Sequence, residues 1–179
     1  VGGNLTGLEV GNSLVVQNNF TDNLMLLTNG DFSFSTPIDD LNQYSISVLT
    51  HPTTPNQTCD VFQATGIVNG NSIDNIDIVC SINTYFLGGS VSGLLNGNDL
   101  LLNNGGNFKF IEQNGAYIFN TPVPDESDYD IEIYLQPSSP IQPCQVMNGA
   151  STISGEDVTN IDVICEAGND LIFRNGFSQ

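Results

Sequence analysis

The chain contains one internal repeat, which limits its architecture more than any other feature of the sequence. The opening residues Val-Gly-Gly-Asn-Leu-Thr-Gly-Leu return later in the chain as Leu-Gly-Gly-Ser-Val-Ser-Gly-Leu. After a slip of one residue, residues 29–80 align without a gap to residues 114–165, and 18 of these 52 pairs are identical. Because self-similarity of this kind marks repeated structural units, the sequence predicts two copies of one module.

The repeat also sets the predicted boundaries of the modules. The first module spans residues 1–80 and the second spans residues 87–165, so that each copy ends on a cysteine. Between them, residues 81–86 form a linker or the beginning of the second module's first strand. Residues 166–179 form a C-terminal tail, which we interpret as a possible donated strand.

Apolar residues alternate with polar ones in both copies, as they do in a strand with one buried face. The clearest examples are Tyr-Ser-Ile-Ser-Val at residues 44–48 and Tyr-Asp-Ile-Glu-Ile at residues 129–133. An Asn-Gly pair, a strong hairpin-turn signal, precedes an aromatic strand in each copy. The fold class is therefore all-β, with roughly seven short strands per module arranged as a β-sandwich. The residues predicted for the core are Phe32, Phe34, Tyr44, Ile46, Tyr117, Phe119, Tyr129 and Ile131.

The four cysteines are predicted to form one disulfide in each module. Four cysteines permit three pairings, but Cys59 precedes Cys80 by the same 21 residues that separate Cys144 from Cys165. Pairing within each module is the only choice that keeps the modules equivalent. A zinc site is the competing account, but the chain has no Cys-x-x-Cys motif and its lone histidine, His51, occurs in one copy only. The disulfides imply an oxidising compartment.

The charge of the chain excludes several partners. It carries 20 acidic residues against two basic ones, for a formal net charge of −18. Such a chain has no basic surface for a phosphate backbone, so nucleic-acid binding is excluded. It has no attraction to anionic lipid, and no apolar run reaches the length of a membrane span, so membrane insertion is not expected.

The repeats resemble immunoglobulin-like modules that occur in tandem in secreted and surface-anchored bacterial proteins. The features that match are the opening Gly-Gly pairs, the Asn-Gly turns, the tyrosine strands, and the closing Asn-Ile-Asp before the final cysteine. Two of the segments are also similar to prealbumin-like sandwiches. The resemblance implies two tandem immunoglobulin-like β-sandwich domains, located outside the cell or on the surface of a bacterium, that space, display or adhere. The tail is similar to the Phe-x-x-Gly-Phe endings of some secreted proteobacterial proteins.

We do not expect the chain to be an enzyme. His51 stands before a proline in a loop, and its counterpart in the second module is Gln136. The sequence lacks a nucleophile-elbow motif, a phosphate loop and a dinucleotide fingerprint. It also has no tryptophan, which is the usual stacking platform for sugars. No cofactor is predicted apart from calcium.

The acidic run at residues 125–130 is the one candidate for a metal site. Calcium binds six to eight oxygen atoms, and clustered carboxylates in a loop can supply several of them. The candidate ligands are Asp125, Asp128 and Asp130. In the alternative interpretation, strand alternation places Asp128, Asp130 and Glu132 on one face, where water solvates them.

The C-terminal tail suggests a way for copies of the chain to assemble. Its residues 170–173 follow Cys165 at about the same distance as residues 84–87, the beginning of the second module, follow Cys80. The tail therefore resembles the start of a third module. An open sheet edge readily pairs with an added strand. The predicted interface therefore joins the tail of one copy to the first module of the next, through Leu171, Ile172, Phe173, Phe177, Val1 and Leu5.

Two functions remain open from the sequence. The first is an extracellular structural protein, a surface or matrix component that polymerises head to tail by donation of the C-terminal strand. The second is an adhesive or calcium-dependent binding or accessory module of a larger secreted bacterial protein. The expected partners are copies of the chain itself, other surface proteins or glycans.

Overall fold

The computed structural model of the protein describes residues 1–166, and these fold entirely into strands, turns and loops. They form two compact units. Unit 1 comprises Val1–Asn83 together with Pro124–Glu126, and unit 2 comprises Thr84–Val123 and the described residues from Ser127 onward. No helix in the described part of the chain is long and apolar enough to cross a membrane.

Unit 1 contains eight strands in two four-stranded sheets. The strands are β1 (Gly2–Thr6), β2 (Leu14–Asn18), β3 (Asp22–Leu26), β4 (Gly30–Ser33), β5 (Gln43–Thr50), β6 (Gln57–Phe62), β7 (Thr65–Ile67) and β8 (Ile76–Ile82). One sheet has the order β4-β1-β8-β6 and the other has the order β3-β2-β5-β7. Strand β1 is antiparallel to β4 and parallel to β8, so the first strand of the unit lies in the middle of its sheet.

Unit 2 repeats this plan and adds two short strands. Its elements are β9 (Thr84–Tyr85), β10 (Gly88–Ser92), β11 (Leu100–Asn104), β12 (Asn107–Ile111), β13 (Gly115–Ile118), β14 (Val123–Pro124), β15 (Asp128–Leu135), β16 (Cys144–Met147), β17 (Ala150–Thr152) and β18 (Asp162–Cys165), although the last residue of β14, Pro124, belongs to unit 1. The sheets run β13-β10-β18-β16 and β12-β11-β15-β17, in the same order as their counterparts in unit 1. The additional strand β9 pairs with β14.

Each unit has its own core between two sheets, which makes the arrangement sandwich-like. In unit 1, Leu5 and Ile78 of one sheet join Leu14 and Ile46 of the other in a single buried cluster. Unit 2 has an equivalent cluster. Burial alternates along the strands because successive side chains point to opposite faces of a sheet. All eight residues that the sequence predicts for the core are buried.

The Gly-Gly pair that opens each repeat is required by close contact with neighbouring backbone. A Cβ atom on Gly3 would lie 1.8 Å from the carbonyl oxygen of Ile76, and one on Gly89 would lie 1.8 Å from that of Ile161. Both glycines lie where the first strand of the unit meets its parallel partner. Only hydrogen fits there, so the glycines permit the central pairing of each unit.

The one-residue slip in the repeat lies in a hairpin turn. In unit 2, β11 and β12 are joined by Gly105 and Gly106, both with positive φ, as a two-residue hairpin turn requires. In unit 1, the corresponding turn has three residues, and two of them, Asn19 and Phe20, adopt positive φ. Since Phe20 is also 81% exposed, the extra residue changes the tip of the hairpin and leaves the sheets intact.

Candidate functional site

The disulfides tie the same two strands together in each unit. Cys59 in β6 lies directly opposite Cys80 in β8, and Cys144 in β16 lies opposite Cys165 in β18. The structure bonds these pairs, as the sequence predicts, and the described chain has no free cysteine. Disulfides indicate an oxidising, extracellular environment.

His51 supports the first disulfide through a hydrogen bond. The backbone N–H of Cys59 donates to its Nδ1 atom at 3.1 Å. In unit 2, the counterpart Gln136 makes two such bonds, because Oε1 accepts from the N–H of Cys144 and Nε2 donates to its carbonyl oxygen, both at 2.9 Å. The imidazole nitrogen of His51 and the amide oxygen of Gln136 thus accept equivalent hydrogen bonds from a cysteine N–H. His51 therefore has a structural role.

This equivalence predicts the effect of substitutions at residue 51. We expect His51→Gln to leave the stability of unit 1 unchanged to within about 0.5 kcal/mol, since the amide restores the acceptor. His51→Ala leaves the N–H of Cys59 without its partner and should lower the free energy of unfolding by about 1 kcal/mol. Urea denaturation of the two variants measures the difference. Equal losses for both would show that the hydrogen bond does not matter.

Each unit also contains a buried pair of amide side chains that the sequence analysis missed. Asn12 donates to Oε1 of Gln57 at 3.0 Å, and Gln57 donates to the carbonyl oxygen of Gly7 at 2.7 Å. In unit 2, Asn98 and Gln142 repeat the first bond at 3.1 Å. These amides hold the loop after the first strand against the loop before the disulfide strand. Both copies have asparagine and glutamine at these aligned positions, whereas exposed polar residues are free to vary. This shared identity is the signal in the sequence that could have revealed the pair.

The three calcium candidates do not form a common site. Asp125 is buried, and its Oδ2 atom accepts a hydrogen bond from the N–H of Asn56 at 2.7 Å. Asp128 and Asp130 are exposed on β15, where Asp128 accepts a 2.6 Å bond from the hydroxyl of Thr152. Among residues 1–166, no three His, Cys, Asp or Glu side chains are placed to hold a metal ion. The exposure of Asp128 and Asp130 agrees with the solvated-face interpretation.

The structure separates the residues of the predicted subunit interface. Leu5 is fully buried in the core of unit 1, and its strand has a partner on each side. It therefore cannot contact another copy, and the interface prediction is wrong for this residue. Val1 is partly exposed at the end of the sheet. The tail residues of the prediction, Leu171, Ile172, Phe173 and Phe177, lie outside the described residues.

A groove of about 370 Å³ lies beside Val1 in unit 1, and its lining contains both apolar residues and the polar residues Asp40, Asn71 and Ser72. Ile38, Val68 and Ile73 line it together with Val1, and all four are partly buried residues packed on the edge of the unit 1 core. We call this feature the unit 1 groove. Residues 38–39, which correspond to β14, form no strand. Within residues 1–166, the N–H of Ile73 has no hydrogen-bond acceptor.

In unit 2, the corresponding place is covered by residues 84–86, which we call the leading segment. Phe86 accepts a hydrogen bond from the N–H of Val158 at 2.9 Å and donates its own N–H to Asp157 at 2.8 Å. Tyr85 packs against the unit 2 core together with Val123 and Val158. The leading segment is therefore paired through its backbone and anchored by one inward side chain.

Two of the four apolar residues beside the groove differ in burial from their aligned counterparts in unit 2. Leu87 in unit 2 is fully buried, whereas its counterpart Val1 is partly exposed. Ile153 is 1% exposed, whereas its counterpart Val68 is only partly buried. The other two lining residues, Ile38 and Ile73, are partly buried like their counterparts Val123 and Val158.

Unit 2 has an exposed aromatic face on the sheet that contains β12 and β15. Phe108, Phe110 and Tyr134 are each at least half exposed, and the rings of Phe108 and Tyr134 meet edge to face at 5.1 Å. The aligned positions of unit 1 hold no aromatic residue. We call this feature the aromatic face.

The core of unit 2 also contains a buried hydroxyl. Tyr117 donates to the carbonyl oxygen of Ile161 at 2.8 Å. Burial, and to a smaller extent the nearby carboxylate of Asp162, raises the pKa of the Tyr117 hydroxyl above its ordinary value. The group therefore stays protonated and serves as a structural donor. Its counterpart in unit 1 is Phe32, so this bond is not part of the common plan.

Comparison with known proteins does not place the chain in a family. No protein-family model and no curated protein matches it.

Proposed function

We propose that the protein is an extracellular structural component, part of a bacterial surface or matrix, whose two units are tandem immunoglobulin-like modules. Copies associate head to tail and form a filament through the C-terminal strand. The protein acts by holding and spacing, and it carries out no chemical reaction. The partner in this assembly is another copy of the same chain.

The unit 1 groove is the observation that carries this proposal. Both units have the same sheet order, and in unit 2 residues 84–86 lie on the surface that corresponds to the groove, so this place in the module accepts a short added strand. Exposed apolar surface beside a free backbone N–H group favours the addition of a strand from elsewhere. The tail provides an apolar run, Leu-Ile-Phe, at residues 171–173.

The geometry of such a contact explains why a filament is the expected product. The tail of one copy and the first unit of the next are different surfaces, so the contact is heterologous. A copy that binds through its tail still presents its groove, and a copy that binds through its groove still presents its tail. Unless the rotation between copies closes a ring, addition continues without limit.

The disulfides support an extracellular location, and the charge predicts how assembly depends on salt. Each unit carries a bridge between adjacent strands, which persists only under oxidising conditions. A net charge of −18 favours solubility and opposes close approach of copies at low ionic strength. Assembly should therefore become stronger as salt is added.

Removal of residues 170–179 tests the proposal directly. The full chain should sediment as large species and show regular filaments in negative-stain electron microscopy. The shortened chain should sediment as a monomer, because it has lost the donated strand. The matched control is Ser178→Ala in the full chain, which lies in the same tail outside the apolar run and should assemble normally. Filaments formed by the shortened chain would overturn the proposal.

The aromatic face favours a second candidate function, an adhesive or accessory binding module. Aromatic rings exposed on one sheet can stack against sugar rings or bury a flat apolar partner. Binding of the full chain to a polysaccharide array, with loss on Phe108→Ala and Phe110→Ala, would favour this function. Dependence of that binding on calcium would separate the calcium-dependent form of this candidate from the simple adhesive one.

A further inference from the structure

We infer that unit 1 contains a binding site for one calcium ion beside the turn of the β2–β3 hairpin. Its principal ligand is the carboxylate of Asp22, and the backbone carbonyl oxygen of Thr36 joins it. Both residues line one open pocket of about 660 Å³. The inference does not depend on the proposed head-to-tail assembly.

The first observation is a buried carboxylate oxygen without a partner. Oδ2 of Asp22 is shielded from solvent, and no hydrogen-bond donor among residues 1–166 reaches it. Buried polar atoms are almost always paired, and an exception indicates a bound water or ion. For a carboxylate the requirement is stricter, because its charge is costly to bury without a counter-charge.

Unit 1 has no lysine or arginine side chain that could neutralise this charge. Residues 1–83 and 124–126, which form the unit, include neither residue type. The only histidine, His51, is not among the residues that line the pocket, and its Nδ1 atom accepts from the N–H of Cys59. The pocket lining instead adds a second carboxylate, Asp39. The counter-charge for Asp22 therefore comes from a cation in solution.

Unit 2 shows how this place is filled when the residue is neutral. The counterpart of Asp22 is Asn107, and its Nδ2 atom donates to the carbonyl oxygen of Thr121 at 3.5 Å. Thr121 is the counterpart of Thr36. An ionised carboxylate cannot donate, so unit 1 brings an acceptor to a carbonyl oxygen where unit 2 has a donor. A cation can bridge two such acceptors, and the difference between the units lies in this one residue.

The atoms around the pocket favour calcium over metals that prefer nitrogen or sulfur. The lining contains no histidine and no cysteine. Asn19 donates its Nδ2 atom to the carbonyl oxygen of Gln43 at 3.0 Å, and no described residue donates to its Oδ1 atom. This amide oxygen, the carboxylate of Asp39 and water can complete the six to eight oxygen atoms that calcium takes. The site uses only two carboxylates, in agreement with the lack of three grouped acidic side chains among residues 1–166.

Calcium titration of the full chain tests the site through a substitution that the repeat already contains. Asp22→Asn should fold normally, because asparagine occupies this place in unit 2. Isothermal titration calorimetry in about 0.1 M potassium chloride, which screens long-range charge effects, should show one calcium site in the wild type. The site should be lost in Asp22→Asn. The matched control is Asp60→Asn, which removes the same charge from an exposed position on β6 and should bind calcium normally.

Hydrogen exchange read by mass spectrometry locates the bound ion. At a calcium concentration about a hundredfold above the Kd, exchange through unfolding of unit 1 should slow about a hundredfold. Exchange in unit 2 should not change. In calcium-free buffer, Asp22→Asn should by itself slow exchange in unit 1, because the amide can donate to Thr36 and the uncompensated charge is gone.

The control variant and the calcium-free measurement make the inference falsifiable. Lack of calcium binding by the wild type, or equal binding by Asp22→Asn, would overturn it. Equal loss of binding in Asp60→Asn would mean that ions gather on the acidic surface without a defined site, and it would overturn the inference too. Slower exchange in calcium-free Asp22→Asn, without calcium binding by the wild type, would mean that water alone partners the buried oxygen. Binding lost only in Asp22→Asn, with protection confined to unit 1, would support the site.

Discussion

Replacing Gly89 with alanine should lower the free energy of unfolding of unit 2 by at least about 3 kcal/mol. The added Cβ atom would lie 1.8 Å from the carbonyl oxygen of Ile161 and 2.4 Å from its carbonyl carbon. A flexible side chain could move aside, but this oxygen belongs to the backbone of the adjacent chain segment. The methyl group can therefore be accommodated only if β10 separates from β18. Gly3→Ala should have the same effect on unit 1.

Gly97→Ala is the matched control in the same unit. Gly97 has φ +87, and a Cβ atom there would meet nothing within 4 Å. Its replacement should cost about 1–2 kcal/mol, through backbone strain alone. Urea denaturation followed by circular dichroism gives both values, and hydrogen exchange read by mass spectrometry assigns each loss to its unit. If Gly89→Ala were no more destabilising than Gly97→Ala, close strand contact would not be the reason for the Gly-Gly pair.

The second large effect is expected from removal of a disulfide. Replacing Cys59 and Cys80 together with alanine should lower the free energy of unfolding of unit 1 by about 3 kcal/mol, the value for a closed loop of this length. The bridge in unit 2 closes a loop with the same sequence separation of 21 residues. Replacing Cys144 and Cys165 should therefore destabilise unit 2 by a closely similar amount.

Comparison of the two double variants tests whether loop closure is the source of the stabilisation. Both bridges join directly opposed residues on equivalent strands, and all four cysteines are buried. The two double variants should therefore lose similar amounts of packing energy and of loop-closure stabilisation. The measurement is urea denaturation without reductant, with exchange again used to separate the units. A difference of more than about 1 kcal/mol between them would show that local packing, and not loop closure, decides the stabilisation.

The sequence was most informative where a pattern occurs twice. Alternation in the tyrosine strands correctly predicted β5 and β15, and the equal cysteine spacing correctly predicted the disulfide pairs. An accidental alternation in one copy has no reason to recur at the aligned position of the other. The all-β class and the core residues could therefore be obtained from the sequence alone.

The sequence was least informative where a role depends on pairing between distant segments. Leu5 was assigned to an interface together with Val1, but the parallel pairing with β8 places it in the core. That pairing joins residues about 70 positions apart, and no local pattern reveals it. Asp125 was likewise grouped with Asp128 by proximity along the chain, although its carboxylate is bonded to Asn56.

The unit 1 groove was predicted only in part from the sequence. The alignment of Val1 with Leu87 could be read from the repeat, and it directed attention to the surface around Val1. What could not be read was that this surface forms a groove lined by Ile38, Val68 and Ile73 together with polar residues.

The parallel pairing of β1 with β8 also decides how a unit responds to mechanical tension. A pull that separates the first residue of β1 from the last residue of β8 acts along both strands in opposite directions. It loads the hydrogen bonds of the β1–β8 ladder together in shear, whereas a hairpin pulled at its open end loses its bonds one after another. The pairing of β10 with β18 gives unit 2 the same geometry. Forced unfolding depends on the rate of unfolding, so each unit should yield only at high force and then all at once.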